Sequence, residues 1–529
     1  MSTRRRLALL ALVGFLLLPS RTVEAQDVVP GNFPVGVPDL DAWVERTLET
    51  FEVPGVAVAI VKDGEVVLAR GFGVRTIGEA TPVDERTRFG IASNTKAFTA
   101  TALGILVEHG KLEWDGPVID YLPWFQMWDP WVTREITVRD LLVHRSGLGL
   151  GQGDLLYWPE SDFTRREIVE AVRYLEPVTS FRSAYAYDNI LYHVAALVIE
   201  EVSGLTWEDF VQTRIIEPLG MNDTRVTRAS TLEEGNVATP HARIEGTVRP
   251  VQPLAATATN AAGGINSTAA DMAKWLIVQL DSGRVSDSER IFSERTTTQL
   301  WKPVTPLPIG RVPDGLEPLQ VQFAGYALGF GIRDHRGHKM VTHTGGLPGY
   351  VSRLTMVPEL KLGIAVLTNQ EMGVAFESIT ARILDHYLDA EPRDWITTFS
   401  ELSARRDSMV AARDQAAAAE RDSTSRPSLP LEGYAGTYRD KWYGDVEIVE
   451  GEGDLAIQFN RTASLLGDLE HWQFDTFYVR WRDPELRADA FITFELATDG
   501  SVAGARMKAA SPSVDFSYDF HDLDLRRVP

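Results

Sequence analysis

Ser93-Asn94-Thr95-Lys96 opens an apolar stretch that runs to His109 and Gly110. A helix starting there puts side chains three residues apart on one face, so the lysine amine reaches the serine hydroxyl. A serine hydroxyl is a weak nucleophile until a base takes its proton, and a lysine acts as that base only where its surroundings lower its pKa. The positive end of such a helix also favours the oxyanion that forms after attack. Tyr187-Asp188-Asn189 precedes a second apolar run that reaches about Val202. A phenol there can pass protons to and from the serine, and an amide two residues on can hold a substrate carbonyl or the lysine. His343-Thr344-Gly345-Gly346 comes just before the run 351–357. Its glycines let a substrate lie along the backbone as an added strand, with the Gly346 amide as an oxyanion donor beside that of Ser93. In a chain of this composition chance supplies about 0.5 Ser-x-x-Lys, so no single triplet decides the matter. The set and its order do: a helix start, a loop and a strand edge.

Those residues need a scaffold, and the periodicity supplies one. The β-rich runs 56–61 and 66–70 are joined by an Asp63-Gly64 turn, and 351–357 and 362–368 repeat the design around Pro358. These four strands, far apart in sequence, predict one antiparallel sheet. Between them, 95–109, 137–143, 165–175, 189–203, 207–214 and 269–281 have helical apolar spacing. The fold class is therefore α+β, an antiparallel sheet flanked by helices with a large helical insertion. From 392 to 430 charge alternates with alanine and then gives way to Ser, Thr, Arg and Pro, which reads as a partly helical linker. Beyond it, 434–438, 443–449, 454–459, 472–481, 490–496 and 502–507 alternate as short strands. They predict a small all-β barrel or sandwich over 431–529.

The chain has 529 residues, 44% of them hydrophobic and 24% charged, enough to bury a core in more than one domain. There is no cysteine, which excludes a thiol nucleophile, disulfides and thiolate metal sites. Arg4 to Arg6, the apolar stretch from Leu7 to Leu18 and Val23-Glu24-Ala25 compose a secretory signal peptide over 1–25. The expected mature protein is exported, periplasmic or secreted, and free of the membrane. A net charge of −22 disfavours nucleic acid and anionic membrane surfaces as partners. The expected partners are a small-molecule or peptide substrate and further copies of the chain, and no metal or organic cofactor is expected. His335 and His338 are spaced like ligands but lack an accompanying zinc motif and read as solvated loop residues. Trp124, Trp128 and Trp131 either line an apolar cleft or pack core and loops.

With its three motifs in this order, the chain resembles the serine β-lactamase and penicillin-binding family, especially the class C branch with its related esterases and D-amino-acid peptidases. The resemblance also rests on 89–123, 136–148, 261–275 and 343–369, and it spans most of 39–390. It implies a hydrolase domain over 26–391 in which Ser93 is acylated, Lys96 and Tyr187 share proton transfer, and Asn189 orients lysine and substrate. His343, which with Thr344, Gly345 and Gly346 would bind the substrate, takes the place where the lactamases carry lysine. A largely neutral histidine suits a substrate carboxylate less well than a fixed positive charge. Peptidase or esterase action is therefore expected ahead of β-lactamase action. A penicillin-binding sensor that does not turn over and an interaction module carried by the barrel are the non-enzymatic alternatives. The intact Ser93, Lys96 and Tyr187 argue against both. The segment from 431 onward is similar to the lipocalin-like domain appended to such hydrolases.

Overall fold

Strand β1 (Gly55–Lys62) is buried on both faces, and its period of two divides the core in half. Val56, Val58 and Ile60 pack with residues of helices α1 (Leu40–Phe51) and α5 (Gly373–Tyr387). Ala57, Ala59 and Val61 face the opposite layer, where helices α2 (Thr95–Glu108), α3 (Ile190–Ser203) and α4 (Ala269–Leu280) lie. The computed structural model describes residues 36–529 apart from 228–234, 256 and 452–453. The expected signal peptide lies outside the described residues.

The sheet that carries this division also includes β2 (Glu65–Gly73), β3 (Thr305–Pro306), β4 (Ala324–Tyr326), β5 (Gly331–His335), β6 (His338–Leu347), β7 (Tyr350–Val357) and β8 (Leu362–Thr368). Its order is β2-β1-β8-β7-β6-β5-β4-β3. The four strands expected from sequence are adjacent in it and antiparallel. β5 pairs with β6 only from His338 to Thr342, so 343–347 border the cleft with one edge outside that pairing. α2 is buried along nearly its whole length. Phe98 stacks on Trp275 of α4 at 3.8 Å between ring centroids, and Trp207 donates its indole N–H to Thr99 Oγ1 at 3.0 Å.

The expected helix at 137–143 is only a 3₁₀ turn, Asp140–Leu142. Asp140 turns its carboxylate back onto the Thr137 amide and hydroxyl, and that local alternative competes with helix propagation. The expected helix 165–175 is α-helical only over Arg165–Ala171 and continues as a 3₁₀ turn. Helix α6 (Trp395–Ala419) occupies the expected linker, but it is not free of the hydrolase domain. Trp395, Ile396 and Phe399 are buried against Phe51, Val53 and Ala381.

The C-terminal strands close an eight-stranded barrel: β9 (Gly436–Asp440), β10 (Gly444–Glu450), β11 (Leu455–Phe459), β12 (Leu466–Gln473), β13 (Thr476–Trp481), β14 (Ala490–Leu496), β15 (Val502–Ala509) and β16 (Leu525–Arg527). Tyr438, Ile457, Phe459, Val479 and Ile492 are fully buried there, so side chains fill this part of the barrel. The single strand expected at 472–481 is instead a hairpin of β12 and β13. Residues 36–529 form one compact unit, and the barrel is fastened to the rest by Arg487–Glu371 at 2.5 Å and Arg249–Glu485 at 2.7 Å.

Candidate active site

Ser93 sits in a 3₁₀ turn, Ala92–Asn94, that leads directly into α2. Ala92 before it has φ of 50°, a left-handed conformation that costs a non-glycine residue about 1 kcal/mol or more. The surroundings enforce it. Ser352 on β7 donates to the Ile91 carbonyl at 2.8 Å and accepts from Asn94 Nδ2 at 2.8 Å. Gly345 completes the clamp, because a Cβ there would lie 2.2 Å from the Ile91 oxygen. This glycine is required by packing against the nucleophile turn. Gly346 has open space where a Cβ would point and lines the cleft.

One turn along α2, Lys96 Nζ lies 3.0 Å from Ser93 Oγ, 2.7 Å from Asn189 Oδ1 and 3.0 Å from the Ala262 carbonyl. The lysine is fully buried. Burial pushes its pKa down to about 7, against the pull of the Asp154 and Asp188 carboxylates. Its amine also lies 4.9 Å from the ring centre of Tyr187 and 5.1 Å from that of Tyr192. The Tyr187 phenol is raised far above its ordinary range by burial, with a hydrogen bond to Ser93 acting the other way. Asn189 stands at the N-terminal end of α3, whose other end is fixed by Gly204 at φ 73°. The structure thus gathers Ser93, Lys96, Tyr187 and Asn189 around one amine.

His343 and Thr344 line the same cleft from β6. His343 Nδ1 lies 2.6 Å from the Thr344 carbonyl and Nε2 lies 2.7 Å from the Tyr326 hydroxyl. A carbonyl only accepts, so Nδ1 carries the proton and Nε2 accepts from Tyr326. Burial, then the nearby Lys96, holds the imidazole down to about 3, and the ring is neutral at physiological pH.

Several further groups that carry no mark in the sequence meet here. Asp154, fully buried, accepts from Asn189 Nδ2 at 2.7 Å and from Ser517 Oγ at 2.8 Å. Arg333 on β5 and Arg353 on β7 also line the cleft. Arg353 pairs with Glu377, and the Arg333 Nε is buried without a hydrogen-bond partner. Burial and the neighbouring Arg353 push the Arg333 guanidinium down to about 10. The cleft has a volume of about 1090 Å³, and the barrel contributes Arg487, Asp515, Phe516 and Ser517 to its wall. Phe516 meets Tyr187 edge to face at 6.2 Å.

With a serine, a buried lysine, a tyrosine and a glycine strand converging in the expected order, comparison with known proteins decides the family. Residues 40–388 match the beta-lactamase family. The chain belongs to it. Residues 420–527 match a domain of unknown function, DUF3471. The chain is 28% identical over 449 residues to an unguisins hydrolase of Aspergillus violaceofuscus, covering 80% of this chain and 78% of that one. It is 28% identical over 342 residues to penicillin-binding protein 4 of Amycolatopsis lactamdurans, covering 63% and 86%. Among solved structures, an octameric penicillin-binding protein homologue from Pyrococcus abyssi superposes with a TM-score of 0.59 at 25% identity, over 86% of this chain and 96% of that one. A D-stereospecific amidohydrolase from Streptomyces shares the fold, with a TM-score of 0.52 at 22% identity over 66% and 99%. This member of the beta-lactamase family is accordingly a serine hydrolase.

The remaining sequence candidates lie elsewhere. His335 is buried at the end of β5, where burial holds it down to about 4, so it is not a solvated loop residue. His338 pairs with Glu359 at 2.8 Å. Arg166 covers Trp124 at 3.3 Å. Trp128 and Trp131 line a separate groove that holds neither Ser93 nor Lys96.

Proposed function

We propose that this chain hydrolyses peptide amides of the D-amino-acid type, or carboxylic esters, through an acyl-enzyme on Ser93. The observation that carries this reading is the 3.0 Å contact between Ser93 Oγ and a buried Lys96 amine. In the neutral form the amine takes the serine proton as Oγ bonds to the substrate carbonyl carbon. The amides of Ser93 and Gly346 stabilise the oxyanion. The carbon–nitrogen or carbon–oxygen bond then breaks, and the leaving group takes a proton from the lysine through Tyr187, whose phenol keeps its own proton at neutral pH. Water then attacks the ester carbonyl as Lys96 accepts its proton, the bond from the acyl carbon to Ser93 Oγ breaks, and Lys96 returns the proton to Oγ as the carboxylic acid leaves. Asn189 holds the amine in place, and Thr344, Gly345 and Gly346 carry the substrate along the β6 edge.

The neutral His343 supports amide or ester substrates ahead of β-lactams, and the name of the Streptomyces amidohydrolase supports the same order. A second reading, acylation by β-lactams, is favoured by Arg333, a cation in the cleft able to meet a substrate carboxylate. The purified full chain decides between them on D-aminoacyl anilides, nitrophenyl esters and nitrocefin, with Ser93→Ala as control. Turnover of anilides or esters that Ser93→Ala lacks supports the first reading. Nitrocefin turnover faster than either would replace it with the second.

We further propose that residues 1–25 direct export, that the hydrolase domain spans 26–391, and that the barrel over 431–529, joined through 392–430, is lipocalin-like. Cell fractionation tests the first of these. The octameric state of the Pyrococcus homologue supports self-association, which light scattering on the purified chain measures.

A further inference from the structure

Behind the catalytic amine a hydrogen-bonded chain leads out of the hydrolase domain and into the barrel. Lys96 Nζ donates to Asn189 Oδ1 at 2.7 Å, and Asn189 Nδ2 donates to Asp154 Oδ2 at 2.7 Å. The same carboxylate oxygen accepts from Ser517 Oγ at 2.8 Å, while Asp154 Oδ1 accepts from the Tyr157 hydroxyl. Asn189 turns its oxygen to the lysine, which leaves its two N–H groups for Asp154, a group that only accepts when ionised. Asp154 is fully buried and Ser517 is 4% exposed. Ser517 lies between β15 and β16 of the barrel. Two residues on, Asp519 accepts the amides of Gly153 at 2.6 Å and Leu155 at 2.9 Å, and so clamps the loop on either side of Asp154. Phe516 rests against Gly151, where a Cβ would lie 2.6 Å from its ring.

Resting on the reading of Ser93 and Lys96 above, we propose that Asp154 is a positioning residue for Lys96 and that the barrel completes the active site by holding Asp154 through Ser517. Two residues 363 positions apart in sequence, one in each domain, thereby belong to one proton-transfer unit.

The titratable groups around this unit are Asp154 and Tyr157 on the clamped loop, Asp188 and Tyr187 before α3, and Tyr192 within it. Tyr185, His193 on α3, Tyr326 on β4, His144, His343 on β6 and Asp519 from the barrel also surround it. Burial pushes Asp154 up to about 7, opposed by its hydrogen bonds from Tyr157, Asn189 and Ser517 and by Lys96. Asp154 and Lys96 each favour the other's charged form. The Asp154 charge raises the proton affinity of Lys96, so removing that charge moves the acid limb of kcat/KM to lower pH. Losing the Ser517 hydroxyl makes Asp154 easier to protonate and moves the limb the same way.

The test is the pH dependence of kcat/KM on a nitrophenyl ester for the full chain and for Asp154→Asn, Ser517→Ala and Ser517→Thr, each checked by thermal unfolding. We expect the acid limb to fall by about half a pH unit or more in Asp154→Asn and Ser517→Ala, and to stay at the wild-type position in Ser517→Thr, which keeps the hydroxyl. Ser517→Ala carries the test if Asp154→Asn does not fold. A limb unmoved in the folded variants, whatever happens to kcat, overturns the inference while Ser93 remains labelled by a fluorophosphonate. Failure of the underlying function looks different, because Ser93 of the wild-type chain would then not be labelled at all.

Discussion

Lys96 offers the sharpest quantitative prediction. An amine at its ordinary pKa of 10.5 has a neutral fraction at pH 7 of about one in 3,000, whereas one at about 7 is half neutral. Burial therefore makes roughly a thousandfold more base available at neutral pH, equivalent to about 4 kcal/mol. The sign follows from the neutral form being the reactive one. Below about pH 7, kcat/KM should rise about tenfold per pH unit, then level off, with no falling limb up to pH 9 because Tyr187 keeps its proton. Lys96→Arg substitutes a guanidinium that does not deprotonate, and should lose about 10²- to 10⁴-fold in kcat/KM. The assay is initial-rate hydrolysis of a nitrophenyl ester from pH 5 to 9, with the Ser93→Ala rate subtracted at each point. An acid limb centred above pH 9, or a Lys96→Arg enzyme with the wild-type profile, would refute the assignment of Lys96 as base.

Other variants probe the scaffold around it. Asn189→Ala strips Lys96 of an acceptor and Asp154 of a donor, and should lower kcat/KM by about 10- to 100-fold, measured at pH 8 beside an unchanged circular dichroism spectrum. Gly345→Ala forces a Cβ against the Ile91 oxygen, displaces the turn that carries Ser93, and should cost about 1–3 kcal/mol in urea unfolding with a larger loss in kcat than in KM. Phe98→Ala empties the space stacked on Trp275, and should cost about 3–5 kcal/mol, read as a lowered midpoint in the same unfolding experiment.

How much of this was legible in the sequence depends on how local each feature is. Ser93, Lys96, Tyr187 and Asn189 were readable because each is tied to the start of an apolar helix, and helix starts leave a signal in their own neighbourhood. The sheet was readable from β1 and β8 because buried central strands are continuous apolar runs. Asp154 was not readable, since its three partners come from sequence positions 157, 189 and 517 and nothing in its neighbours marks it. Ser517 and Asp519 escaped for the same reason. The β12–β13 hairpin was hidden by its own composition. Its turn uses Phe474, exposed and at φ 48°, where glycine or asparagine would have announced a reversal, and the flanking aromatic residues read as one unbroken strand. The linker helix is present as α6, and what its composition hid is its anchorage. Its alanine-rich C-terminal part set its character in sequence, and Trp395, Ile396 and Phe399 at its start anchor it to the hydrolase domain.

The role of Ser93 as nucleophile is tested by covalent capture. The purified full chain is treated with a fluorophosphonate at pH 8, digested, and the modified peptide sequenced by mass spectrometry. One adduct is expected, on Ser93, formed more slowly as pH falls below 7 and absent from Ser93→Ala. An adduct on another residue, or labelling that persists undiminished in Ser93→Ala, would contradict it.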